Sequence, residues 1–253
     1  MKTRIILCGA CGKMGGNVLS LLAEDENAVA VCGVDLFPRE IGIPVYKNFA
    51  EINEDADVII DFSSAENLTE RLEYAKQKGL GIVLASTGFT QEDLKTIDEY
   101  ANYIPIFKTA NLSLGVNLMQ ALVKTVAEVL GDSYDVEIIE KHHNLKKDAP
   151  SGTALMLADS VNEAFAKKKQ IVNGRAGIVG ARTKAEIGMH AVRGGTIVGE
   201  HEVLFAGEDE IITISHSARS KRVFATGAIR AAKFLHGKEA GKYEMKHLLA
   251  EEN

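Results

Sequence analysis

Thr3-Arg4-Ile5-Ile6-Leu7-Cys8-Gly9-Ala10-Cys11-Gly12-Lys13-Met14-Gly15 is the stretch that decides the fold. Its first six residues form a β-branched, apolar run that breaks at Gly9, and Met14, Val18, Leu21 and Leu22 then recur at helical spacing. This reads as strand, glycine turn, helix. Further along, Val29 to Val34 and Val58 to Phe62 read as strands, Leu68, Leu72 and Ala75 mark a helix, and Ile82 to Ala85 is a fourth strand. Thr90-Gln91-Glu92-Asp93 has capping-box spacing, with Asp in place of the usual Glu or Gln, and opens a helix before a fifth strand at Ile104 to Phe107. Strands that alternate with helices and are apolar on both faces imply a parallel sheet covered on both sides, an α/β fold of Rossmann type.

After Asn111 the pattern changes. A helix from about Gly115 to Leu130 leads to a strand at Val136 to Glu140, and a later helix carries Ala154, Leu157, Ala158, Val161 and Phe165 on one face. Three strand-like runs follow, Ile187 to Val192, Ile197 to Phe205 and Glu210 to Ser217, the first two joined hairpin-fashion by Gly194-Gly195. Grouped strands of this kind predict an α+β domain with a mixed sheet. The segment Lys167 to Lys184 lacks periodicity and is expected to be a mobile surface loop. A last helix, about Phe224 to Leu235, is expected to pack back on the first domain. The expected division is residues 1–112 with 220–253, a dinucleotide-binding domain, and residues 113–219, a domain for substrate binding and oligomerisation.

Lys+Arg 29 against Asp+Glu 35 gives a net charge of -6, so no overall basic surface argues for nucleic acid or an anionic membrane as partner. The apolar run after Met1-Lys2-Thr3-Arg4 is too short for a signal sequence, and no stretch is read as approaching the roughly 20 apolar residues of a membrane span. A cytoplasmic location is the expectation. Three cysteines, Cys8, Cys11 and Cys32, do not suggest a disulfide framework. Cys8 and Cys11 form a C-x-x-C without a second such pair, so a metal or redox role is not expected.

Gly9, Gly12 and Gly15 form G-x-x-G-x-x-G, a variant of the dinucleotide-binding fingerprint and weak by itself. Its setting strengthens it. Glycines let the backbone approach a pyrophosphate, the helix N-terminus stabilises its charge, and Asp35, 20 residues after Gly15 at the end of the second strand, suits a ribose 2′-hydroxyl. A plain tight turn and a solvated strand end are the competing readings. The stretch is not a phosphate loop of the NTPase kind, because Ser or Thr is missing after Lys13.

A second cluster, Glu140-Lys141-His142-His143-Asn144-Leu145-Lys146-Lys147-Asp148-Ala149-Pro150-Ser151-Gly152-Thr153, gathers two imidazoles, several ammonium groups and a helix start. Imidazole titrates nearest neutral pH, lysines attract carboxylates, and the first N–H groups of a helix bind anions. The combination suits a small dicarboxylate undergoing proton transfer. Incidental surface histidines and a solvated lysine pair are the alternatives. Zinc is less favoured, since His142 and His143 at a strand end point to opposite faces and no third ligand has obvious spacing. Asp148 or Ser151 can cap the following helix, with Pro150 tolerated in its first turn, which leaves the Gly152 and Thr153 amides for an anion.

With these segments, together with Ser86-Thr87-Gly88-Phe89, Ala110 to Asn117, Arg193-Gly194-Gly195 through Val198-Gly199-Glu200-His201 and Phe224 to Ala228, the chain resembles the dihydrodipicolinate reductases over nearly its full length. That family serves the diaminopimelate route to lysine. The resemblance implies NADH and/or NADPH as cofactor, bound by Gly9, Ala10, Cys11, Gly12, Lys13, Met14, Asp35, Ala85, Ser86, Thr87, Thr109, Ala110, Asn111 and Leu112. It implies His142 and Lys146 as the acid/base pair, His143, Gly152 and Thr153 as substrate binders, a dicarboxylate substrate and a homotetramer. Two departures stand out. Ala85-Ser86-Thr87-Gly88 replaces the family's common Gly-Thr-Thr-Gly, and Lys221 stands where an Arg is often seen. The rival readings are another NAD(P)-dependent oxidoreductase of a small oxo or imino acid, and a non-enzymatic NAD sensor.

Overall fold

The computed structural model describes residues 1–86 and 88–251. They fall into two units, Met1–Ser113 with Lys221–Asn253, and Leu114–Ser220.

In the first unit the chain runs β1 (Thr3–Cys8), α1 (Lys13–Leu22), β2 (Ala28–Val34), β3 (Val45–Tyr46), β4 (Val58–Asp61), α2 (Leu68–Lys78), β5 (Gly81–Leu84), α3 (Gln91–Tyr100) and β6 (Pro105–Lys108). The second unit contributes α4 (Leu114–Leu130), β7 (Asp135–His142), α5 (Gly152–Asn162), β8 (Gln170–Asn173), β9 (Glu186–Arg193), β10 (Gly199–Ala206) and β11 (Ile211–Ala218). The chain then returns to the first unit with α6 (Arg222–Leu235), β12 (Gly241–Tyr243) and α7 (Met245–Glu251).

The first sheet is parallel throughout, in the order β12-β6-β5-β4-β1-β2-β3. Its central strands are apolar on both faces because both are covered. Ile6, Ile59, Ile82 and Ile106 pack with Leu68 and Leu72 of α2 and Ile97 of α3. On the opposite face α1 and α6 lie together, with Leu235 close against Gly81. Thr90 caps α3 in the expected box: its side chain accepts from the Asp93 amide, and the Asp93 carboxylate accepts from the Thr90 amide at 2.7 Å.

The second sheet is mixed, in the order β11-β10-β7-β9-β8, with β7 parallel to β9 and antiparallel to β10. Met119 and Val123 of α4 and Leu157 and Val161 of α5 close one face of it over Val136, Ile138, Met189 and Phe205. Gly194-Gly195 does not make a hairpin, because β7 lies between β9 and β10. The connection instead steps across the end of β7, with the Gly194 amide donating to the His142 carbonyl and the Asn144 amide to the Gly195 carbonyl.

The segment Lys167 to Lys184, expected to be a mobile surface loop, is a loop only in part. It contains β8, and two of its charged residues are anchored: Lys169 donates to Asp132 and the Lys184 carbonyl, and Arg182 donates to Glu137 and Asp135. Pro150 lies outside the helix it was assigned to, one residue before the N-cap Ser151. The short β3 and β12 were not anticipated. One apolar stretch also exceeds the expectation: Leu114–Ser133 is long and apolar enough to span a membrane by length and composition alone. Its Met119, Val123 and Ala127 are instead part of the second unit's core.

Candidate active site

In the first unit the loops after β1 and β4 diverge from a topological switch point, which opens a crevice at the carboxyl ends of the strands. Gly9 to Met14 follow β1, Asp35 follows β2, Ala85 and Ser86 follow β5, and Thr109 to Leu112 follow β6. The topology therefore brings these residues to one edge of the sheet. Thr87 lies outside the described residues. Gly9 adopts φ +72°, and a Cβ on Gly15 would sit 2.3 Å from the Ala10 carbonyl oxygen, so the turn folds tightly against its own helix only with glycine there. Gly12 is the N-cap of α1 and supplies no side-chain cap. The first amides of the helix are thereby left to an anion.

Asp35 stiffens this turn, accepting from the Cys11 amide at 2.9 Å and the Phe37 amide at 3.0 Å. The Arg39 guanidinium donates to the Cys11 carbonyl. A cavity of about 320 Å³ adjoins the turn, lined among others by Gly9, Asp35, Phe37, Lys47 and Ser63. Leu36 and Phe37 are exposed at its rim, an apolar surface suited to a base. A capless helix start, a glycine turn and an acid beside an apolar rim are together the donor set and shape that a dinucleotide requires. Cys8, by contrast, is buried in β1, and burial pushes its thiol well above the usual range, which disfavours the thiolate that metal or redox chemistry needs.

In the second unit, strand alternation aims Val136, Ile138 and Glu140 of β7 inward. Glu140 is fully buried, and a buried carboxylate must be paired. Arg193, at the end of β9, donates to both its oxygens at 2.8 and 2.7 Å. The Ser151 amide donates at 3.0 Å and His142 Nδ1 lies 2.6 Å away. Burial alone would raise the Glu140 carboxyl, but these bonds from Arg193 and His142 hold it below the usual range. Ser151 caps α5, accepting from the Ala154 amide, and its hydroxyl also meets His201 Nε2 at 3.0 Å. His201 packs edge-on against His142, ring centroids 5.2 Å apart. Burial, helped by the neighbouring His142, lowers the His201 pKa to about 4.

Lys146 donates to Asp148 at 2.8 Å, and the Asp148 carbonyl accepts from Arg193 at 2.7 Å. Of the residues singled out in the sequence, His142 and the first turn of α5, with Gly152 and Thr153, are thus joined through Glu140, and Lys146 through Asp148 and Arg193. The His143 carbonyl accepts from the Lys146 amide at 3.2 Å, while its buried Nδ1 has no hydrogen-bond partner among the described residues. Sequence reading missed Glu140, Arg193, Ser151 and His201 as site residues. The signal for Glu140 was present: it continues the buried register of Val136 and Ile138. Arg193 and His201 lie in a segment noted for the family resemblance, but nothing local marks their partners, which the order of strands sets.

Comparison with known proteins finds a match for each part of the chain. The N-terminal model of dihydrodipicolinate reductase matches residues 3–112 and the C-terminal model residues 115–249. The chain is similar to the 4-hydroxy-tetrahydrodipicolinate reductase of Caldanaerobacter subterraneus subsp. tengcongensis, 49% identical over 98% of this chain and 99% of that protein. The Clostridium novyi enzyme of the same name is 44% identical over 99% of this chain and 100% of its own length. Among solved structures, a dipicolinate-bound dihydrodipicolinate reductase from Paenisporosarcina sp. TG-14 superposes with a TM-score of 0.77 at 26% identity, covering 96% of this chain and 98% of that one. With both halves matched in order and relatives of this identity aligned along nearly the whole length, the chain belongs to the dihydrodipicolinate reductase family.

Proposed function

We propose that the chain reduces 4-hydroxy-tetrahydrodipicolinate (dihydrodipicolinate) to tetrahydrodipicolinate in the diaminopimelate route to lysine. One observation carries the reading: a single buried carboxylate, Glu140, joins His142 to the capped N-terminus of α5 inside the most family-specific stretch of the sequence. The solved relative binds dipicolinate, a ring bearing two carboxylates, and the α5 start offers matching donors.

In this reading the first unit binds the nucleotide through Gly9 to Met14, Asp35, Ala85 to Thr87 and Thr109 to Leu112, and the second binds the substrate. NADH or NADPH supplies the hydride when bound. The Gly152 and Thr153 amides and the Lys146 ammonium take a substrate carboxylate, with His143 beside it. Lys146 must first leave Asp148, whose side chain is 62% exposed, and a pair of that kind is worth at most about 1 kcal/mol. The substrate carboxylate can therefore displace it. His142 stabilises or protonates the charge that develops in the ring. The second sheet's uncovered face joins copies of the chain into a homotetramer, and the cytoplasm is the setting; neither nucleic acid nor membrane is a partner.

Loss of NADH absorbance with freshly generated pathway substrate is the test. Turnover should depend on both His142 and Lys146. His142→Ala should lower kcat by roughly 10²-fold or more, and Lys146→Ala should raise KM as well, since the carboxylate is bound in ground and transition states alike. Both variants should bind NADH as the wild type does. Near wild-type kinetics in the two folded variants would reject the site.

A further inference from the structure

We propose that Glu140 is a positioning residue that fixes the tautomer of His142, holding Nδ1–H inward so that Nε2 is the nitrogen that exchanges a proton with substrate. The inference rests on the reading of His142 given above and adds to it the residue that orients it. Glu140 is fully buried and already takes two bonds from Arg193 and one from the Ser151 amide. With the Arg193 guanidinium in contact it is a carboxylate, which only accepts. The 2.6 Å contact to His142 Nδ1 therefore requires that Nδ1 carry the hydrogen.

Nε2 points the other way. It makes no hydrogen bond among the described residues, and it faces Gly199, where a Cβ would stand 3.1 Å from it. The absence of a side chain at Gly199 keeps that nitrogen accessible. The consequence for proton transfer is specific. An imidazolium keeps Nδ1–H on Glu140 and breaks its Nε2–H bond, the proton passing to the anionic substrate carbon. The ring is left neutral in the same Nδ1–H tautomer, with no internal rearrangement. His201 does not share this duty, because its Nε2 is occupied by the Ser151 hydroxyl and burial keeps it neutral.

The test has two parts. In wild-type protein labelled with ¹⁵N-histidine, the resonances lost in His142→Ala should report, when the ring is neutral, a protonated Nδ1 and an unprotonated Nε2. A neutral His142 protonated at Nε2 would overturn the proposal, and this measurement needs no variant of Glu140 to fold. In Glu140→Gln the amide must turn a donor towards either Arg193 or His142, which favours the wrong tautomer. The analogous change in serine proteases lowers kcat about 10⁴-fold, and a fall on the order of 10²-fold or more is expected here, with NADH binding unchanged and the kcat–pH profile displaced. A folded Glu140→Gln with wild-type kcat and pH profile, alongside an impaired His142→Ala, would overturn the positioning role alone. Full activity in His142→Ala would overturn both it and the site reading beneath it.

Discussion

His201 shows how a single residue couples the site to pH. Its folded pKa of about 4 lies below the ordinary value of 6.5, so the unfolded chain binds a proton that the folded chain refuses. The stabilisation is complete above pH 6.5 and is lost as pH falls from there towards 4, by up to about 3 kcal/mol over the window. Urea unfolding at pH 7.5 and pH 5 should show this slope, and His201→Gln should flatten it; an equal slope in the variant would mean that other groups set the acid sensitivity. In the proposed reading Asp35 governs a different choice. Its carboxylate favours an unmodified ribose and repels a 2′-phosphate, while Arg39, bonded to the same turn, offers a cation, so NADH preference or dual use is expected. Asp35→Ala should move the kcat/KM ratio towards NADPH. A wild-type preference for NADPH above roughly tenfold, about 1.4 kcal/mol, would remove Asp35 from that role. Residue types and spacing were enough to single out Asp35 and His142, whereas Glu140 required asking which face of β7 it occupies, and Arg193 and His201 depended on tertiary pairing.

Elements differ in how much local sequence specifies them. The capping box at Thr90 and the strand–turn–helix at Gly9 to Gly15 are local chemistry, and both take the form their residues dictate. Thr90→Ala should therefore cost about 1 kcal/mol of stability, read as a lower urea midpoint, since it removes the side-chain cap of α3. Gly15→Ala should do more, because its Cβ would lie 2.3 Å from the Ala10 carbonyl oxygen and the turn must open to admit it. The expected result is a lower thermal midpoint together with weaker NADH binding by fluorescence titration; unchanged NADH affinity would separate the turn from the nucleotide. The elements that local reading misplaced are those defined by partners. Gly194-Gly195 has hairpin composition, but β7 occupies the space between β9 and β10, and β8 and β12 are short edge strands whose ladders, not their residues, make them strands.

At the scale of the molecule the two sheets are treated differently. The first is covered on both faces by helices, as a parallel sheet with apolar strands requires. The second has α4 and α5 on one face, and the other presents Ile139, Leu204, Val192 and Ile211 alongside Glu137, which burial alone would push up but which Arg175, Arg182 and His190 hold at a pKa of about 2. Val192 is 44% and Ile211 63% exposed in the single chain, so association of copies across this face would bury apolar area that otherwise meets water. Sedimentation should then give about four times the 27.3 kDa of one chain. Ile139→Lys tests the face directly. Position 139 pairs across the sheet with Glu202 of β10, so an ammonium there has a carboxylate opposite it within one chain and the sheet itself should survive. Stacking such faces would instead bury that charge against its symmetry mates, at a cost association cannot offset. The variant should fold with unchanged far-UV circular dichroism yet sediment at a smaller mass, whereas a wild type that sediments as a single chain at micromolar concentration would show that this face is not where copies meet.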